Sequence, residues 1–99
     1  MARFDLYPEP VSAGFLLDVQ TDLLHGFTTR VVIPVLPAGA VPTPAGALTP
    51  AVEIDGERYV LATQLLSAVP AAMLKAPVGN LSAEADTVTR ALDMLFQGF

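Results

Sequence analysis

Ser82-Ala-Glu-Ala-Asp-Thr-Val-Thr-Arg-Ala-Leu-Asp-Met-Leu-Phe-Gln-Gly-Phe99 is the stretch that orders the rest of the chain. Its apolar residues Val88, Ala91, Leu92, Leu95, Phe96 and Phe99 follow the i, i+3, i+4, i+7, i+8, i+11 series, one stripe of a 3.6-period helix. Glu84, Asp86, Thr87, Arg90, Asp93 and Gln97 face elsewhere. Ser82 stands where an N-cap is expected, and Glu84 and Asp86 complement the positive end of the helix dipole. Arg90 is in reach of Asp86 and Asp93 for ion pairs on the outer face. Gly98 is the residue type that ends a helix, because it enters the left-handed region without a Cβ penalty, and Phe99 is left beyond the last turn. The stripe predicts Leu92 and Leu95 in the core. A terminal aromatic predicts one of two things: packing on its own domain, or a tip that meets a partner.

Upstream of the helix the chain reads as β-structure. Arg3 to Tyr7 alternates polar and apolar residues until Pro8 and Pro10, and Gly14 opens a second run, Phe15 to Gln20. Residues 21–27 connect it to Thr28-Thr29-Arg30-Val31-Val32-Ile33, the strongest strand by propensity. Leu23, Leu24 and Phe27 are unusual in a connection: they pack under it or meet a partner. Pro34 predicts an edge, a bulge or a bend. Between Pro37 and Pro50 the composition turns to Pro, Gly, Ala and Thr, an irregular excursion with room for a short ribbon. Val52 to Ala62 is a hairpin around Asp55-Gly56, whose second arm is expected to run on toward Val69 before Pro70. Ala71 to Leu74 is expected to be one helical turn, and Pro77 to Asn80 a turn into the terminal helix. Five short strands, one terminal helix and no βαβ alternation predict a mainly β fold, a small antiparallel barrel with an appended C-terminal helix.

With 99 residues the expectation is one domain spanning 1–99. Hydrophobic residues make up 53% of it and the mean hydropathy is +0.54, high for a small domain that must hide its apolar surface alone. The expectation is a two-fold homodimer. Ten acidic against five basic residues give a net charge of −5 and a pI near 4.4. Arg3, Arg30, Arg58, Lys75 and Arg90 are scattered singly, so nucleic-acid binding by the chain alone is not expected. There is no cysteine, no apolar leader at the N-terminus and no run of about 20 apolar residues, which predicts a cytoplasmic protein without a membrane span.

Chemistry is sparse. His25 is the single histidine, and without cysteine no metal site or cofactor is expected. Asp18 and Asp22 have no spacing specific to acid–base catalysis. Phosphate loops, serine elbows and zinc-protease motifs are absent from the sequence. One enzymatic alternative survives, a metal-free ribonuclease in which Arg30 stabilises the phosphorane beside Thr28 and Thr29. The competing reading of Arg30 is a strand residue with a solvated guanidinium.

Taken together, Asp18-Val19-Gln20-x-Asp22, Arg30-Val31-Val32-Ile33-Pro34, Ser67-Ala68-Val69-Pro70 and Ala91-Leu92-Asp93-Met94-Leu95-Phe96-Gln97-Gly98-Phe99 resemble the CcdB family over the whole chain, in order and at nearly matching spacing. The resemblance implies an SH3-like barrel with a C-terminal helix, a homodimer, and a type II toxin. Such a toxin binds the A subunit of DNA gyrase, traps its cleavage complex and is neutralised by the antitoxin CcdA. In CcdB the gyrase-contacting end reads Asn-Leu-Met-Phe-Trp-Gly-Ile, and an isoleucine pair lies near it. The matching positions are Asp93 to Phe99 and Leu23-Leu24. The gyrase-binding residues implied here are therefore Leu23, Leu24, Asp93, Phe96, Gln97, Gly98 and Phe99. Gln97 replaces an aromatic that stacks on a gyrase arginine, and Asp93 replaces an asparagine with a carboxylate that can hold an arginine. Ribonuclease toxins of the MazF type resemble the same barrel. The alternatives are therefore a MazF-like endoribonuclease, or a homologue that keeps antitoxin binding without gyrase poisoning.

Overall fold

The computed structural model describes residues 2–10, 13–40 and 46–98. Seven strands form one antiparallel sheet: β1 (Asp5–Pro8), β2 (Phe15–Asp18), β3 (Thr29–Pro37), β4 (Ala51–Ile54), β5 (Glu57–Leu61), β6 (Ser67–Pro70) and β7 (Gly79–Asn80). The order is β4-β5-β3-β2-β1-β7, with β6 paired to β3 as well. One helix, α1 (Ala85–Gln97), follows. The sheet curls without closing. A cavity of about 300 Å³ lined by Phe15, Ile54, Val78 and Leu81 lies between the β4–β5 turn and β7, so the architecture is a half-barrel.

β3 is the spine. One side pairs with β2 along Val32 to Val35; the other pairs with β6 over Thr29 to Val32 and then with β5 over Val35 to Pro37. Pro34 sits where the neighbour changes, so its missing N–H falls at a point where the ladder is already interrupted. Its carbonyl accepts from Ala62 N at 2.9 Å, and β6 and β5 follow one another along this side of β3. The expected long second arm of the hairpin is corrected accordingly. β5 stops at Leu61, a 3-10 turn over Thr63–Leu65 intervenes, and β6 is a strand of its own. The Asp55-Gly56 turn forms as expected, with φ of 52° and 81°. Ala71–Met73 is the single helical turn expected there. Gly79 and Asn80, expected as a turn, instead pair with Leu6 and Asp5 and add an outer strand. Among the described residues of the Pro37–Pro50 stretch there are two 3-10 turns, Ala38–Ala40 and Gly46–Leu48, and no ribbon. Residues 41–45, with Pro42 and Pro44, lie outside the described residues.

Strand alternation puts two sets of side chains on opposite faces. Leu6, Leu17, Ile33, Val35, Val52 and Leu61 form the main core, closed by Val88 of α1 with Leu81, Ala85 and Leu92 packed on it. Tyr7, Leu16 and Val32 point the other way and make a second, smaller core under Leu74. The helix is rotated slightly from the expected stripe. Val88 and Ala91 are the buried positions, Leu92 packs at the margin, and Leu95 is half-buried and outside the core cluster, which corrects its expected place.

The helix start also differs. A 3-10 turn over Ser82–Glu84 precedes α1, so Ser82 is not its N-cap. Asn80 ties the approach to this turn onto β1: its Oδ1 accepts from Ser82 N at 2.8 Å while its Nδ2 donates to Asp5 Oδ1 at 2.9 Å. The end is as expected, with Gly98 at φ 81° and its N–H on the carbonyls of Asp93 and Met94. The Arg90 ion pairs do not form. Among the described residues the ion pair present is Arg30–Asp18. No helix among the described residues is long and apolar enough to cross a membrane.

Candidate target-binding surface

The loop between β2 and β3 is a compact turn held by its own backbone. Thr21 caps a 3-10 turn over Asp22–Leu24: its Oγ1 accepts from Leu23 N at 3.3 Å and its carbonyl from Leu24 N at 3.1 Å. Leu24 O then accepts from Phe27 N at 3.1 Å, and Asp22 Oδ1 takes the Arg3 N–H at 2.8 Å from outside the loop. With the backbone satisfied internally, the side chains are turned out. Leu23 is 87% exposed, Phe27 59% and Leu24 37%. His25 is exposed as well, with Nδ1 3.2 Å from Asp22 O. The sequence offered two fates for these apolar residues, and the structure places them in solvent.

The second group of implied site residues is the end of α1. Phe96 is 70% exposed, Gln97 and Gly98 are exposed, and Asp93 is half-buried. Gln97 Nε2 is 3.4 Å from Asp93 Oδ1, so the two polar residues of the tip lean on each other across one helical turn. Phe99 lies outside the described residues. The helix packs chiefly on the turns at Gly46–Leu48 and Thr63–Leu65, and the β2–β3 loop is not among its main neighbours. The described implied residues therefore fall into two groups, the β2–β3 loop and the end of α1.

Arg30, the cation of the ribonuclease alternative, is not at the surface. It is 1% exposed, its Nη2 lies 2.6 Å from Asp18 Oδ2 and its Nε donates to the same oxygen at 2.9 Å. Asp18, itself 0% exposed, pairs with Arg30 and not with Asp22. Both readings of Arg30 are corrected: it is neither a phosphate ligand nor a solvated strand residue. Burial pushes the Asp18 carboxyl above its ordinary range, against the hydrogen bonds from Arg30 and the Gln20 N–H. Among the described residues no three His, Asp or Glu side chains gather where a metal ion could be held.

Phe27 is the exposed residue that the implied site left out. Its signal was a large aromatic in a polar connection, but no periodic element framed it. The Asp18–Arg30 pair had a signal too, since Asp18 shares a strand face with Leu16, and Arg30 with Val32.

No curated protein matches the chain closely enough to count as a relative. The family model described as CcdB protein matches residues 3–98, covering both exposed groups up to Gly98 together with the half-barrel that carries them. This chain belongs to the CcdB family, whose members are toxins of toxin–antitoxin pairs of the gyrase-poisoning type.

Proposed function

We propose that this chain is a cytoplasmic bacterial toxin, a single domain over 1–99, that acts as a homodimer. It binds the A subunit of DNA gyrase, traps the gyrase–DNA cleavage complex and is neutralised by a CcdA-like antitoxin. The observation that carries this reading is the family match over 3–98 on a chain whose helix ends in an exposed Phe96. Leu23, Leu24, Asp93, Phe96, Gln97, Gly98 and Phe99 are the proposed gyrase contacts. The mode is protein–protein docking with no bond made or broken by the toxin. Apolar side chains supply the affinity, and a dimer brings two copies of each exposed group to one partner.

The ribonuclease alternative loses its cation, because an arginine held by Asp18 under a covering layer cannot reach a phosphorane. The reading of a homologue without gyrase poisoning rests on one observation: the tip offers the Gln97 amide, leaning on Asp93, where the family carries an indole. Purified protein incubated with gyrase and supercoiled plasmid separates the two. Linear DNA released on detergent and protease treatment supports poisoning. Antitoxin binding without linear DNA supports the second reading.

A further inference from the structure

Among the described residues two aromatic rings are more than half exposed, Phe96 and Phe27. Phe96 belongs to the proposed gyrase contacts; Phe27 does not. A solvent-facing phenylalanine in a floppy loop would fold back onto apolar neighbours, but the backbone here leaves no such freedom. Phe27 N–H is held by Leu24 O at 3.1 Å, and the next residue, Thr28, accepts from Ala71 N at 2.8 Å. The turn before it is capped by Thr21 and pinned by Arg3 N on Asp22. Leu23 and Leu24 are exposed in the same loop, a few residues before Phe27, and that loop is already proposed to dock.

We infer that Phe27 is an aromatic anchor of the gyrase-binding surface, an exposed ring on a hydrogen-bonded loop backbone that enters an apolar pocket of the A subunit alongside Leu23. The inference rests on the proposed function. Its physical basis is that a loop whose backbone is already ordered loses less conformational freedom on docking, and that aromatic side chains are frequent binding hot spots at protein interfaces. At the helix tip the exposed ring is Phe96, and Gln97 beside it is a polar group with its amide on Asp93.

The test is binding of the full-length protein to immobilised gyrase A subunit, comparing wild type with Phe27→Ser, Phe27→Tyr and Leu23→Ser. Each protein is also run in thermal melting and sedimentation. Phe27→Ser should weaken binding by at least about tenfold, Phe27→Tyr should stay within about threefold, and neither should change the melting temperature or the sedimenting mass. Phe27→Ser binding like wild type while Leu23→Ser fails would overturn the anchor and leave the gyrase reading standing. A Phe27→Ser protein of half the wild-type mass would overturn it in favour of a contact between copies. Wild type that does not bind the A subunit at all would remove the gyrase reading and the anchor with it.

Discussion

Arg30 and Asp18 are the two charges that the fold cannot solvate. Their side chains are 1% and 0% exposed on the face that Leu74 covers, and Arg30 Nη1 has no hydrogen-bond partner among the described residues. A half-satisfied guanidinium depends on its carboxylate, so Asp18→Ala should destabilise the protein by about 3–5 kcal/mol in urea unfolding. Replacing both residues with leucine should cost less than Asp18→Ala alone, because no buried charge is then left unpaired; a double variant worse than the single would contradict this account. Asp5 contributes to the acid limb. Burial alone would raise its pKa, but the Asn80 amide and the Ala2 N–H outweigh that and hold it below the ordinary 3.8. A depressed folded value means stability that is present above 3.8 and lost as pH falls through the folded value. Between about pH 5 and about pH 2, wild type should therefore lose more stability than Asp5→Asn, measured as the shift of the urea midpoint. The sequence showed these charges but not their partners. Asp18 and Arg30 alternate with Leu16 and Val32 on a face that Leu74 packs against, and Leu74 lies far along the chain from either charge.

At the scale of elements, the helix, the Asp55-Gly56 hairpin and the β3 strand were legible, because each carries its own period or turn chemistry within a few residues. β6 and β7 were not. Ser67–Pro70 is a strand because the first half of β3, before β5 joins it, offers an open edge, and Gly79–Asn80 is one because β1 offers its outer side. Both depend on partners distant in sequence. Gly14 shows the same dependence: a Cβ there would run into the Val35 carbonyl, since the start of β2 lies close against β3. Gly14→Ala should lower the melting temperature by several degrees, and no change would mean that the two strands are less closely set. The helix rotation is testable too. Leu92→Ala should cost more stability than Leu95→Ala, and Ala91→Leu should cost about 1–3 kcal/mol by overpacking a fully buried position. Equal losses at Leu92 and Leu95 would restore the stripe read from sequence.

For the whole molecule, Leu23, Phe27, Leu65, Val78 and Phe96 are each more than half exposed. The proposal is that a second copy and gyrase cover these side chains between them. Sedimentation equilibrium at low micromolar concentration should give twice 10.4 kDa, and a single 10.4 kDa species would refute the dimer. The candidate site was legible only through the resemblance of its motifs. Exposure depends on how β2, β3 and α1 are packed, so no local pattern separates a docking leucine from a core one. Leu23 stood in a connection that left two fates open, packing under the loop or meeting a partner, and it is almost wholly in solvent. The most direct test of the account is the gyrase cleavage assay run on wild type beside a Leu23→Ser, Phe96→Ser double variant that melts normally. The account predicts linear plasmid with wild type and a loss of at least about tenfold with the double variant. Equal linear DNA from both, or none from wild type, would contradict it.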